Sequence, residues 1–364
     1  MQAEIVEIAN RFSNKIQIAD IKSFGNGNIN DTFLVSLDDS ANASFVLQRI
    51  NTQVFRTPKL VMRNMRIYAD HVRDRIQKAP LERRWDVPEI IQTDQGDDYW
   101  QTESGDFWRS LSFISNSQSF DVMENIAQAE EVGYALGTFH HLTSDLDPQR
   151  LADTLEGFHV TPRYLEQYEK ILAAENISKS PEVDYCLKFV RDRQGLAHIL
   201  EDAKSAGKIP LRTMHGDPKV NNILFDQQTQ LAVSLVDLDT VKSGLVHYDI
   251  GDCLRSGCNP AGEETEQWED VRFEIELCQG LLRGYLSTAR SFLTGQDYHY
   301  IFDAIRVITF ELGLRFFTDY LAGNIYFHTK YAEHNLLRSL VQFRLVESIE
   351  SQKLAINKII QNIK

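Results

Sequence analysis

The twelve residues HGDPKVNNILFD, His215 to Asp226, restrict what this chain can fold into more than any other stretch of it. An Asp and an Asn stand five positions apart, directly ahead of the apolar run Ile223-Leu224-Phe225. A strand built on that run anchors in a core. The residues before it then form a loop that folds Asp217 and Asn222 to one side of a cleft. Twenty residues further on, LVDLDT places Asp237 at the end of the apolar run Leu235-Val236, where it should emerge at a strand terminus beside the loop. Asp239 lies one alternation further out.

The flanking sequence divides in two. Residues 21–37, IKSFGNGNINDTFLVSL, read as strand, glycine-rich turn, strand, because Phe33, Val35 and Leu37 alternate with polar residues. Further strands are expected at 44–50, 87–91 and 106–114, with a helix over 60–76. The polar stretch SNSQSFD, 115–121, is turn-prone and reads as a connection. Helical periodicity follows over 122–142, 163–175 and 182–206, short strands over 211–214, 222–226 and 233–239, and helix over 264–363. The expectation is an α+β chain of two lobes, 1–114 and 115–364, with a ligand cleft between them.

Composition narrows the function. A chain of 364 residues with 43% hydrophobic content can bury a sizeable core. The net charge of −14 argues against a nucleic-acid or anionic-membrane partner, which needs a basic face. No window approaches 18 consecutive apolar residues, and MQAEIVEIANRF lacks the basic and apolar regions of an export signal. The four cysteines form no CxxC pair and are expected to be reduced thiols in the cytoplasm.

Asp, four residues, Asn is also the spacing of the protein-kinase catalytic loop, where the Asp takes the proton of the attacking hydroxyl and the Asn ligates magnesium. Lys219, two residues after the Asp, is in reach of a transferring phosphoryl group in such a loop. Asp237 stands where a second magnesium ligand is needed. GNGNIN, Gly25 to Asn30, has two glycines of the GxGxxG pattern, Gly25 and Gly27, and is expected to cover phosphates with backbone N–H groups. Two parts are missing. FVLQRI places Gln48 where a kinase strand carries Lys, with Arg49 on the opposite face, and the following helix opens KLVMRNMR without an acid. Nucleotide affinity is therefore expected to rest on the backbone, the metal and Lys219.

At these residues the chain resembles the aminoglycoside phosphotransferase and choline kinase-like superfamily, small-molecule kinases with a protein-kinase-like fold. YDIGDCLR, with Asp249 and Asp252 three apart, fits the same resemblance. GNGNINDTFLV, FVLQRINTQVF, LVDLDTV and LRFFTDYLAGNIYFHTKYAEHNLLR are similar to bacterial N-acetylhexosamine 1-kinases, a family that also lacks the strand-three Lys. The resemblance implies ATP and Mg2+ as cofactors and an N-acetylated sugar as the small-molecule substrate. It implies that Asp217 faces the anomeric hydroxyl, that Asn222 and Asp237 hold magnesium, and that Arg315 and Tyr326 contact the sugar. Asn28 stands where that family has a sugar-reaching His, and Asn neither reaches as far nor carries charge.

Two alternatives fit the same residues. One is a superfamily kinase for another alcohol, of aminoglycoside, choline or homoserine type. The other is a nucleotide-binding pseudoenzyme, which would explain Gln48 but leaves Asp217, Asn222 and Asp237 intact without reason. For Arg315 a surface ion-pair ladder with Glu311 and Asp319 is a further option, since the three are spaced at i, i+4.

Overall fold

The computed structural model describes residues 2–25, 29–38, 43–174 and 180–364. Its first part runs α1 (Gln2–Asn10), β1 (Ile18–Ser23), β2 (Asp31–Leu37), β3 (Ser44–Ile50), α2 (Pro58–Lys78), β4 (Ile90–Ile91), β5 (Trp100–Gln101) and β6 (Phe107–Ser112). Among the described residues these strands make one antiparallel sheet in the order β1-β2-β3-β6-β4, with β5 paired to β6.

Strand alternation gives this sheet two distinct faces. Phe45, Leu47 and Trp108 point to one side and pack with Val35 against Ile8, Ala9 and Phe12 at the end of the amphipathic N-terminal segment. Ile50 and Phe107 point to the other side and join α2, which buries Val61, Met62, Met65, Tyr68 and Val72 along one helical stripe. Gln48 and Arg109 share that second face. Arg49 lies on the first, over Trp108, and pairs with Asp31 and Asp106.

The second part contains β7 (Ser117–Gln118), α3 (Ile126–Leu142), α4 (Thr161–Ala174), α5 (Pro181–Arg193), α6 (Ile199–Ser205), β8 (Arg212–Met214), β9 (Ile223–Asp226), β10 (Ala232–Leu235), β11 (Lys242–Gly244) and α7 (Val246–Gly257). It closes with α8 (Ile275–Ala289), α9 (Gly295–Leu321), α10 (His334–Ser351) and α11 (Lys353–Ile363). Helices dominate it, and the mixed α+β architecture with an antiparallel N-terminal sheet is that of protein-kinase-like folds. β9 pairs with both β10 and β7, and β8 pairs with β11. No helix among the described residues is long and apolar enough to cross a membrane.

Several element boundaries differ from the sequence reading. The strand expected over 87–91 shrinks to Ile90–Ile91, because Pro88 has no N–H to give a ladder. The single helix expected over 182–206 breaks into α5 and α6 around a 3-10 turn at Gln194–His198. Helix expected from 264 begins at Ile275, and residues 322–333 interrupt it between α9 and α10. The strand expected over 233–239 stops at Leu235, so Asp237 sits in the turn beyond it.

The two parts are tied at fixed points. Asn64 on α2 donates to the carbonyls of Ala152 (2.8 Å) and Val241 (2.9 Å) and accepts the Ala152 N–H (2.9 Å). Arg84 reaches the Ser115 carbonyl and the Asp226 carboxylate, each at 2.9 Å.

Candidate active site

The loop between β8 and β9 is held almost wholly by buried polar groups. Asp249 on α7 accepts the backbone N–H of His215 (2.6 Å) and of Gly216 (2.8 Å) and a ring N–H of His140 (2.8 Å). Burial alone would raise the Asp249 carboxyl, but these donors, His140 foremost, outweigh it and hold the group below the ordinary carboxylate range. Gly216 has φ +91°, and a Cβ there would sit 2.9 Å from the Thr240 side chain, so only glycine fits. The other side of the loop rests on His159, whose ring contacts the Gly216 carbonyl and Glu311, each at 2.8 Å. Burial disfavours the His159 charge, yet Glu311 raises its pKa overall.

His215 is buried, which lowers its pKa and favours the neutral ring. Its Nε2 donates to the Val236 carbonyl (3.0 Å), which leaves Nδ1 to accept the Asp217 N–H (3.3 Å). The tautomer that satisfies one contact thus provides for the other.

Asp217 emerges from this loop with its side chain about one-third exposed, at 31%. Its Oδ2 meets Lys219 Nζ at 2.8 Å and the Asn222 amide at 3.3 Å, and Asn222 also donates to the Asp217 carbonyl at 2.7 Å. Asp217, first of all its neighbours, raises the Lys219 pKa, so the ammonium is fixed in its charged form. Both Asn222 contacts use the amide nitrogen, and its carbonyl oxygen is free to ligate.

Asp237 adopts a left-handed conformation, φ 63° and ψ 60°, at a cost of about 1 kcal/mol for a residue with a Cβ. The backbone pins this turn through a bond from the Val236 N–H to the Asn222 carbonyl (2.8 Å). Among the described residues the Asp237 carboxylate has neither a hydrogen-bond nor an ion-pair partner. It keeps solvent-accessible surface at the bottom of the cleft, yet surrounding protein and the neighbouring Asp239 and Asp217 push its pKa up to about 7. An unpaired carboxylate facing two others, beside a free amide oxygen, is the donor set of a hard cation that takes its remaining ligands from water or phosphate. No cluster of three or more His, Cys, Asp or Glu side chains placed to hold a metal occurs among the described residues. Asn222 and Asp237 are the oxygen donors that would hold a divalent cation here.

On the sheet side, Gly25 takes φ +76° and nothing lies within 4 Å of where its Cβ would be. Gly27 and Asn28 lie outside the described residues. Gln48 is half-buried and engaged by its neighbours: its amide donates to Thr32 (3.0 Å) and its carbonyl accepts from Arg109 (2.9 Å). A cation does stand at this point of the cleft, but it comes from β6, where Arg109 is 1% exposed and lies 2.5 Å from Asp239. The hint in the sequence is DFWRSL, an Arg on the same strand face as Phe107 and Leu111.

The wall beyond Asp217 carries Arg315 and Tyr326. Phe158, Tyr164 and Phe327 surround the Arg315 guanidinium, with ring centroids at 5.4, 4.9 and 5.4 Å. The ladder alternative fails. Glu311 is buried and engaged by His159 and Thr161, while Asp319 accepts the backbone N–H groups of Ile325, Tyr326 and Phe327. Arg315 has no carboxylate partner within salt-bridge distance among the described residues. Phe158 and His159 are adjacent in sequence and connect this collar to Gly216. Tyr326 is exposed and its phenol lies beside Arg315. Asp252, which sequence reading noted only for its spacing, pairs with the buried Arg255 at 2.8 Å and lies in the field of Asp217.

Residues 20–290 match the model of the phosphotransferase enzyme family, APH. Solved structures share the fold at low sequence identity. A microcompartment-associated aminopropanol kinase is 12% identical, with 98% of this chain and 99% of that chain covered and a TM-score of 0.63. An aminoglycoside phosphotransferase from Alicyclobacillus acidocaldarius is 14% identical, with 98% and 95% covered and a TM-score of 0.61. An amicoumacin kinase, solved with AMP-PNP, Ca2+ and Ami, is 15% identical, with 96% and 93% covered and a TM-score of 0.60. With a loop built around Asp217 and a family match over most of its length, the chain belongs to the APH phosphotransferase enzyme family, the aminoglycoside phosphotransferase and choline kinase-like superfamily.

Proposed function

We propose that the protein transfers the γ-phosphoryl group of ATP to the anomeric hydroxyl of an N-acetylhexosamine, GlcNAc or GalNAc, giving the sugar 1-phosphate. The observation that carries the acceptor class is the distribution of charge around Asp217. Asp252 and Glu263 are neutralised by Arg255, Glu311 is engaged by His159, and Glu264 by Lys330, His334 and Arg338. A cationic acceptor such as choline finds no unengaged carboxylate among these. Arg315 is the opposite case, a guanidinium in an aromatic collar without an anion, suited to a carbonyl or hydroxyl of a neutral acceptor.

In this reading the unengaged Oδ1 of Asp217 accepts the hydroxyl proton. The acceptor oxygen forms a bond to the γ-phosphorus as the bond to the β,γ-bridging oxygen breaks, and the diphosphate leaves with that electron pair. Lys219 stays charged beside Asp217 and faces the transferring group. A divalent cation on Asn222 and Asp237, Mg2+ in this reading, would neutralise charge on the phosphates. The amicoumacin kinase bound to AMP-PNP and Ca2+ supports a nucleotide and divalent cation in this fold. Positioning and electrostatics supply most of the acceleration.

The test is an ATP-consumption screen over GlcNAc, GalNAc, GlcN, glucose, choline, aminopropanol and homoserine, with phosphorus NMR to place the new phosphate. Turnover of an N-acetylated sugar with a 1-phosphate product is expected. Turnover of an amino alcohol but of no sugar overturns the acceptor assignment and leaves the family assignment standing.

A further inference from the structure

We propose that Arg109 is the positioning cation of the nucleotide cleft, moved one strand over from the strand-three position, and that it acts through Asp239 to hold the Asp237 turn for the metal–nucleotide complex. This rests on the reading of the cleft as a nucleotide site, and not on the identity of the acceptor.

The register of the sheet makes the displacement possible. Gln48 on β3 lies directly opposite Arg109 on β6, and Arg109 Nε donates to the Gln48 carbonyl at 2.9 Å. The neutral side chain at the strand-three position thereby orients a cation whose backbone belongs to the neighbouring strand. The guanidinium has two further contacts, each with a different element. One terminal nitrogen lies 3.0 Å from the Met65 sulfur on α2, and the other lies 2.5 Å from Asp239 Oδ1 in the turn after β10.

Asp239 gathers the rest of the cleft. Its Oδ2 accepts from the Asn30 amide (2.7 Å), at the end of the glycine-rich turn, and its carbonyl accepts from Thr154 (3.0 Å). Asn30 in turn accepts the Asn51 N–H at 3.0 Å, beyond β3. Two residues before Asp239 stands Asp237, the unpaired carboxylate. One ion pair thus ties the sheet, α2 and Asn30 to the turn that carries Asp237.

Stability alone is a poor reason for this pair. Arg109 and Asp239 are 1% and 2% exposed, and removing both charges from water costs several kcal/mol per ion before their attraction returns it. Apolar side chains of the same volume would tie the parts with less cost. A charge two residues from Asp237, on Asp239, is what they could not supply.

The experiment measures nucleotide binding by ligand-induced shift of the melting temperature. It uses the full chain without acceptor, with ADP and GDP, in Mg2+ or in EDTA. The variants are Arg109→Gln, Arg109→Lys, Asp239→Asn and the double variant Gln48→Lys/Arg109→Gln, which returns a cation to β3. Arg109→Gln and Asp239→Asn should each lose about tenfold in nucleotide affinity in Mg2+ and little in EDTA. Arg109→Lys and the double variant should recover most of the Mg2+-dependent part. Wild-type affinity in folded Arg109→Gln overturns the proposal. So does equal loss with and without Mg2+, which would mark a direct phosphate contact, and so does a folded double variant no better than the single one. If Arg109→Gln does not fold, Arg109→Lys and the double variant carry the same comparison against wild type. A wrong acceptor assignment leaves all of these readings intact.

Discussion

The two walls of the cleft handle charge in opposite ways. On the sheet side Arg109, Asp239, Asn30, Gln48 and Thr32 engage one another. On the helical side Arg315 stands in its collar without an anion, and Ile325 and Tyr326 are exposed on the segment that follows α9. A self-satisfied wall is already arranged before a ligand enters and keeps one geometry. A wall with an unanswered cation gains its partner only on binding, so its contribution depends on what the ligand offers. The first arrangement suits a constant co-substrate and the second suits discrimination between acceptors. Asp217 and Asp237 lie between the walls.

The largest expected effect tests the middle. Asp217→Asn removes the proton acceptor but keeps the shape and the contact with Asn222, so kcat should fall about 10³-fold. The melting temperature should stay within a few degrees, because Lys219 is partly exposed and can find water. Turnover near wild type in this variant would break the assignment of both walls to one reaction.

The next effect separates the walls. Arg315→Met keeps the packing inside the aromatic collar and removes the donors. The acceptor KM should rise about tenfold while the nucleotide KM stays unchanged. Arg315→Lys should recover little, since an ammonium cannot offer the planar fork. A change in the nucleotide KM would show that the two walls are not independent.

A smaller effect concerns pH. The protein packed around Asp237, and then Asp239 and Asp217, push its pKa up to about 7 from an ordinary value of 3.8, although the side chain keeps contact with solvent. With the folded value the higher one, the contribution to stability is full below about pH 4 and is lost as pH rises through 7. Metal-free wild type should therefore lose melting temperature between pH 4 and 7 more steeply than Asp237→Asn. Mg2+ with nucleotide should flatten the difference, because a bound cation answers the carboxylate. Parallel slopes in the two proteins would remove Asp237 from the centre of the cation site.

How much of this could be read from the sequence follows the range of the interactions. Asp217, Lys219 and Asn222 lie within six residues, so their spacing encodes their meeting. The alternation of β2 and β3 and the stripe of α2 are equally local. Arg109 was not legible, because its task depends on a strand pairing 61 residues away and on an aspartate from the other part of the chain. The spacing of Glu311, Arg315 and Asp319 was legible but misleading, since tertiary partners take both acids away from the Arg. Asp249 stood out without a task, as its partners are backbone N–H groups that no sequence pattern marks.

The smallest effect asks whether the helical wall reads its ligand through a side chain or through the shape of a loop. Tyr326 is 57% exposed, and its ring meets Phe327 edge-on at 4.8 Å. Its phenol therefore contributes one partly solvated contact, and Tyr326→Phe should raise the acceptor KM only about threefold, in keeping with a neutral hydrogen bond of about 0.5–1.5 kcal/mol. The loop itself is held differently. Asp319 accepts three successive N–H groups, at 2.9, 2.7 and 2.9 Å, and the Asn335 amide at 2.9 Å. Asp319→Asn leaves the phenol in place but turns one of its acceptor atoms into a donor facing backbone N–H groups. It should therefore raise the acceptor KM more than Tyr326→Phe does, with the nucleotide KM again unchanged. The reverse order would place the discrimination in the phenol and make the helical wall as fixed as the sheet.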